Sequence, residues 1–451
     1  MDWLSRPFYQ NQPRQAASTE FRKSLCFMHE SCHLPDFPVF CAGPTGAFRL
    51  EEYAGLIRHT QKPEPKTQIE VIKMFKRNKR SRNVGELSNE RLLDGGNIER
   101  LEDRRLLAGN VTAAINGAGD LIIQGDGEDN AVSVEIDSAG NVIVEGDSTT
   151  TVDDSGLAGS VVSGDVIVNL RGGDDVVIIA GEEGPSTSHR TSIPVEDIRI
   201  TTGAGNDEAM VGFANRGIRI AGDATINAGS GDDYAGVKYS DIDGGVSISG
   251  SGGNDVAGIG DSVANDFVFR GGAGDDTVSV IESVTIEQIE LVLGSGDNDA
   301  RVEDSAGAGL TITSTSGADT IEIDSFNAKY ENVNLRTGGN NDDITIDGLN
   351  DVAELRIQTA GGDDSVEIRD AEAEETLINT GGGDDEVFAA LSTFGESQFT
   401  MGGGDDSLGF SSSSAFGRAN GGAGGDVFSF NTSSTLTDLD RDRFEAVGVA
   451  V

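Results

Sequence analysis

From Val168 to Phe430 the chain repeats one arrangement of apolar and polar positions twelve times. An apolar residue precedes a Gly-rich segment ending in Asp, and two apolar residues two apart follow it. A clear copy runs Phe269, then Gly271-Gly272-Ala273-Gly274-Asp275-Asp276-Thr277-Val278-Ser279-Val280. With the final Asp numbered 6, that position holds Asp175, Asp207, Asp233, Asp255, Asp276, Asn298, Asp319, Asp342, Asp364, Asp385, Asp406 and Asp426. The gaps are 32, 26, 22, 21, 22, 21, 23, 22, 21, 21 and 20 residues, so the period settles near 21 after Asp233. Position −1 (Val168 to Ala419), position 8 (Val177 to Phe428) and position 10 (Ile179 to Phe430) are apolar in every copy. Positions 8 and 10 share one face of a strand, because side chains alternate with period 2. Ser, Glu and Asp recur at 7 and 9, which therefore face water.

One such unit cannot bury its own apolar face, whereas stacked copies can. The pattern therefore predicts an all-β fold, a parallel β-solenoid of the β-helix or β-roll kind with about 21 residues per coil. Each coil has a strand, a Gly-rich corner, a second strand and a variable return. The return has room for a third short strand, so a flattened roll and a three-faced helix both remain open. The gap between Asp175 and Asp207 contains an insertion around Glu182–Pro194, read as a surface loop. Residues 166–451 form the repeat array. Residues 110–165 read as an irregular β leading cap, with strands at Leu121-Ile122-Ile123 and Ala131-Val132-Ser133-Val134. Gly125 to Val134 is a weak copy of the repeat with Asn130 in the Asp place.

Composition agrees with a thin core: 62 of 451 residues are Gly and 36% are apolar. Charge is divided unevenly. Residues 1–110 carry 18 Lys+Arg and 14 Asp+Glu, net +4; residues 111–451 carry 15 and 63, net −48; together they make −44. So acidic an array repels nucleic acid and anionic membranes and attracts cations. No apolar run is long enough for a membrane span. Cys26, Cys32 and Cys41 all precede the repeats, so disulfides do not hold the array. The group Cys26, His29, Cys32, His33, Cys41 has metal-ligand residue types without the paired C-x2-C spacing of a zinc site.

Residues 1–109 read as a basic export or targeting region, largely disordered or partly helical. Within it Met74-Phe-Lys-Arg-Asn-Lys-Arg-Ser-Arg has a second start followed by a basic run, like the beginning of an export signal. Leu101-Glu102-Asp103-Arg104-Arg105-Leu106-Leu107-Ala108-Gly109 resembles the LEPR-XLL-type motif of secreted or surface repeat proteins of planctomycete-type bacteria, with Asp103 where that motif has Pro. The resemblance covers about nine residues. It implies export to the cell surface or beyond and raises the hypothesis that translation starts at Met74.

The corner carries the candidate chemistry. Gly at positions 2 to 4 permits a hard turn. Position 6 shares the parity of 8 and 10, so its carboxylate aims inward; position 5, as at Asp275, points outward. Carboxylates stacked about 4.8 Å apart repel by roughly 3.5 kcal/mol per neighbour at an effective dielectric of 20. Calcium takes six to eight oxygens from carboxylates and carbonyls and would neutralise such a row. The corner resembles the RTX, or haemolysin-type, nonapeptide G-G-x-G-x-D-x-U-x, which Gly271–Ser279 and Gly421–Ser429 fit throughout. The resemblance implies several Ca²⁺ sites at the position-6 residues named above together with Asp275. RTX arrays repeat the motif every nine residues, however, whereas here one corner occurs per coil. The alternative is a metal-free turn closed by Asx hydrogen bonds.

The expected function is a non-catalytic, secreted or cell-surface, calcium-binding structural or adhesive solenoid. Its expected partners are calcium, cell-surface polysaccharide, or a second copy through the C-terminal edge. One alternative is a carbohydrate-active parallel β-helix enzyme similar to polysaccharide lyases. A unique cleft with Lys or Arg beside carboxylates would favour it. The other is a metal-free autoaggregation module. Phe444-Glu445-Ala446-Val447-Gly448-Val449-Ala450-Val451 matches the strand before the corner in Tyr330–Leu335 and Ile286–Leu291, so the array is expected to stop mid-coil.

Overall fold

The computed structural model describes residues 109–449, apart from 158–159, 183–194, 214–215, 326–328 and 438. The cysteine–histidine group, Met74, most of the Leu101–Gly109 motif and most of the Glu182–Pro194 insertion lie outside the described residues. Among the described residues there is no helix; the chain is a parallel β-solenoid. Its strands form a 17-stranded, a 15-stranded and a 4-stranded sheet.

The sequence period becomes the stacking register. Ala224–Ser230 pairs in parallel with Val246–Gly252, each residue meeting the one 22 ahead; Val246 in turn meets Phe267, 21 ahead. After the corner, Val256–Gly260 stacks on Thr277–Ile281, and that on Asp299–Glu303, in the same way. Consecutive coils therefore place like residues above one another, as the repeat requires. The 4-stranded sheet settles the question left open by the return. It consists of Arg219–Ile220, Asp241–Ile242, Val263–Ala264 and Val284–Thr285, a narrow third face over these coils. Further along, strands before the corner lengthen into the return, as in Glu372–Asn379 and Thr393–Thr400.

The core is the three apolar ladders. Every position −1 and position 8 residue is buried, and so is every position 10 residue except Phe430, which packs against the core half-buried. Toward the C-terminal end the core between the ladders becomes aromatic. Phe399, Phe410, Phe428 and Phe444 follow one another at centroid distances of 5.4, 5.8 and 5.4 Å. The Arg441 guanidinium lies 5.3 Å from the Phe428 ring centroid.

At the other end the stacking rule changes. Asn110–Ile115 pairs antiparallel with Leu121–Gln124, and Ala131–Ile136 antiparallel with Val142–Gly146. These hairpins turn edge strands back on themselves before Leu121–Gln124 and Ala131–Ile136 join the parallel stack.

The C-terminal segment departs from the sequence reading. Ala446–Val449 stacks on Val427–Phe430, a strand after the corner, while Asp440–Asp442 stacks on Arg418–Asn420 before it. The intervening corner, Asp442-Arg443-Phe444-Glu445, lacks the Gly-rich motif, so it could not be recognised as one. Arg443 takes the positive φ of 62° instead.

Candidate functional site

The twelve corners share one backbone path. Position 4 has positive φ in every copy, Gly in all but Asn340 (φ 90°). The turn puts the position-6 residue on the inside, and each of these residues is no more than 3% exposed. The inward row predicted from parity is therefore present, and Asn130 extends it by one coil.

Each inward side chain is bound to the coil before it. The backbone N–H of Asn130 donates to Oδ1 of Asp175, that of Asp175 to Asp207, and so on without a break to Asp406 and Asp426. These twelve bonds measure 2.8 to 3.1 Å. The second oxygen behaves differently. Oδ2 of Asp175, Asp207, Asp233, Asp255, Asp276, Asp319, Asp342, Asp364, Asp385, Asp406 and Asp426 is buried without a hydrogen-bond partner. It lies close against backbone: a Cβ on Gly271 would stand 2.2 Å from Oδ2 of Asp276, and one on Gly250 1.9 Å from Oδ2 of Asp255.

Position 5 forms a second column with the opposite direction of donation. Asn206 N–H donates to Oδ1 of Asp174, Asp232 to Asn206, Asn254 to Asp232, Asp275 to Asn254 and Asp297 to Asp275, at 2.9 to 3.0 Å. Asp363, Asp384 and Asp405 continue it. This column is exposed or half-buried, as position 5 was expected to be. Asn alternates with Asp over several coils and thins its charge.

A third column was not anticipated. Ser240, Ser262, Ser283 and Ser305, and later Ser392 and Ser413, are buried at the far end of the strand after the corner. Ser240 N–H donates to Ser262 Oγ, Ser262 to Ser283, and Ser283 to Ser305, at 3.0 to 3.4 Å. Each hydroxyl donates to the carbonyl two residues back, at 2.8 to 3.0 Å. The signal was in the sequence: these serines follow position 6 by seven residues.

Burial dominates the electrostatics of the inward row. Loss of solvent raises the carboxyls of Asp175 and Asp233 to about 7 and those of Asp255, Asp276, Asp342 and Asp406 to about 6; neighbouring carboxylates add to the shift and the N–H bonds oppose it. Burial also raises Asp207, Asp319, Asp364 and Asp385, whose nearby Thr202, Ser314, Thr359 and Thr380 hydroxyls act against the shift.

This donor set does not match calcium. The ion needs six to eight oxygens at about 2.3–2.6 Å. On the inward row Oδ1 already accepts an N–H, which leaves one free carboxylate oxygen per coil, the buried Oδ2. Among the described residues, no three Asp, Glu, His or Cys side chains converge as metal ligands.

Among the described residues a recess interrupts the surface. Ile286, Ala306 and Tyr330 line it, with Lys329, Glu331 and Asp351 at its margin. It has the cation-beside-carboxylate composition that a sugar-cleaving site would use. However, Lys329 Nζ is paired with Asp351 Oδ2 at 2.7 Å, and the buried Tyr330 hydroxyl donates to the Ser305 carbonyl. Burial pushes the Tyr330 phenol well above its ordinary range, away from the range of a general base.

No protein family, curated protein or solved structure matches this chain. Among the described residues no helix is long and apolar enough to cross a membrane.

Proposed function

We propose that the chain is an exported, non-catalytic structural protein, an acidic solenoid that serves as a spacer or adhesive element at a cell surface or in an extracellular matrix. The observation that supports this most is the repetition of its polar groups. The buried aspartates of the inward row and the serines of the third column have chemically equivalent neighbours one coil away, bound in the same manner. Catalysis needs a unique constellation, whereas a load-spreading scaffold is served by uniform columns. Twelve coils at about 4.8 Å each make a rod of about 60 Å, laced by backbone and side-chain hydrogen bonds along its axis. Export rests on the basic run after Met74 and on the resemblance of Leu101–Gly109 to a surface-protein motif.

Two measurements test the reading. Protease treatment of intact source cells should remove the chain from them. Protection until the cells are lysed would overturn export. Purified full-length protein incubated with a panel of neutral and acidic polysaccharides should release no reducing or unsaturated ends. Release would favour the lyase-like alternative, with the recess around Tyr330 as the place to look.

A further inference from the structure

The inward column leaves one atom per coil unexplained, the partnerless Oδ2. Three sets of residues show what that atom faces. Asn298 occupies the same position in the same ladder, and its Nδ2, which replaces Oδ2, donates to the Gly296 carbonyl two residues back at 2.9 Å. Asn130, at the start of the ladder, donates to the Glu128 carbonyl in the same way at 2.7 Å. The serine column also pairs two interactions. Oγ accepts an N–H from the preceding coil and donates to the carbonyl two residues back, as Ser283 does from Ser262 at 3.4 Å and to Ile281 at 2.9 Å. A side chain at such a bend therefore donates to its own turn, and Asn298 and the serines also accept from the neighbouring coil; the asparagine Nδ2 donates in addition to Oδ1 of the next aspartate, Asp319 at 2.8 Å and Asp175 at 3.1 Å. Ionised Asp has no hydrogen to donate.

We infer that the inward aspartates from Asp175 to Asp406 are neutral carboxylic acids, each keeping a proton on Oδ2 and so standing in for asparagine, and that the corner is closed by protons where its motif resembles a calcium site. The column is then a set of proton-binding sites built on folding. Each carboxyl takes up one proton from solvent, forms its O–H toward the turn and releases it when the coil opens.

The surrounding charges favour this. Asp276 is flanked in the column by Asp255 and by neutral Asn298, with Asp275 beside it on the outer column. Asp233 faces Asp207, Asp255 and Asp232; Asp175 faces Asp207 and Asp129; Asp342 faces Asp319 and Asp364; Asp406 faces Asp384, Asp385 and Asp426. The charged groups acting on these members are carboxylates, which disfavour a further negative charge. Burial acts in the same direction and raises these groups.

The test uses the full chain. Near pH 6 its infrared spectrum should contain the carbonyl stretch of protonated carboxyl, lost on unfolding at the same pH. In thermal melts at pH 8, Asp276→Asn should be at least as stable as the wild type, and Asp364→Asn combined with Asp385→Asn should melt a few degrees higher. Both variants should show a shallower dependence of melting temperature on pH between 5 and 8. Asp405→Asn, on the outer column where its Oδ1 accepts the Gly425 N–H, should leave that slope unchanged. Calcium at millimolar concentration should not shift the wild-type melt. The inference fails if the native protein near pH 6 shows only ionised carboxylate, or if calcium raises the melting temperature and the Asn substitutions abolish that rise. The infrared measurement needs no variant, so a substitution that prevents folding leaves the test intact.

Discussion

At the scale of single residues, the corner is governed by how closely successive backbones approach. Gly381 and Ala360 occupy the same turn position in adjacent coils, both with positive φ (101° and 78°). A Cβ on Gly381 would lie 1.7 Å from the Ala360 carbonyl oxygen, a contact with rigid backbone. Gly381→Ala should therefore lower the melting temperature, with a loss above about 2 kcal/mol from clash and left-handed strain together. Ala360→Gly relieves strain but loosens the unfolded chain, so it should change stability by less than about 1 kcal/mol. Paired thermal melts of the two variants check both. The sequence made the turn and the inward aim of position 6 legible, because parity and Gly spacing are local properties. It could not show that the neighbouring coil's N–H reaches Oδ1, because that bond joins residues 20 to 45 apart and depends on the stacking register.

At the scale of the strand, stability comes from ladders rather than from isolated contacts. Phe410 touches Phe399 on one side and Phe428 on the other and is 1% exposed. Phe410→Ala should cost about 3–5 kcal/mol, as for other buried aromatic truncations. Because each coil contacts its neighbours, hydrogen exchange should accelerate first in the strands around Ser407–Ser411 and leave those around Ala224–Ser230 protected. Uniform acceleration along the rod would contradict this nearest-neighbour account. The apolar ladders were readable from the sequence because the same parity recurs twelve times. The last coil was not, because Asp442-Arg443-Phe444-Glu445 turns the chain without the glycines that mark the other corners. The serine column was missed for a different reason: Ser is common on exposed positions, and only the shared spacing from position 6 sets these residues apart.

At the scale of the whole molecule, the inward carboxyls couple folding to pH. For Asp175, Asp233, Asp255, Asp276, Asp342 and Asp406 the folded values, about 6 to 7, lie above the ordinary 3.8, so between these limits the native chain holds protons that the unfolded chain has released. This contribution is complete below about pH 4 and is lost as pH rises through 6 to 7. Each group in that window changes stability by about 1.4 kcal/mol per pH unit. Carboxyls outside the inward row held low by hydrogen bonds, such as Asp137 by Asn141 and Asp120 by Asn116, act in the opposite sense and only at more acid pH. The melting temperature should therefore rise as pH falls from 8 toward 5, contrary to ordinary acid denaturation. Salt should act with it at pH 8, since about 1 M ionic strength screens the outer carboxylate column. The count of protons exchanged on unfolding is the most direct test of the account. Unfolding the full chain in dilute unbuffered solution at pH 5.5 should release several protons per molecule, read by a pH electrode. Release of none, or net uptake, would contradict a solenoid whose corners are closed by protonated aspartates.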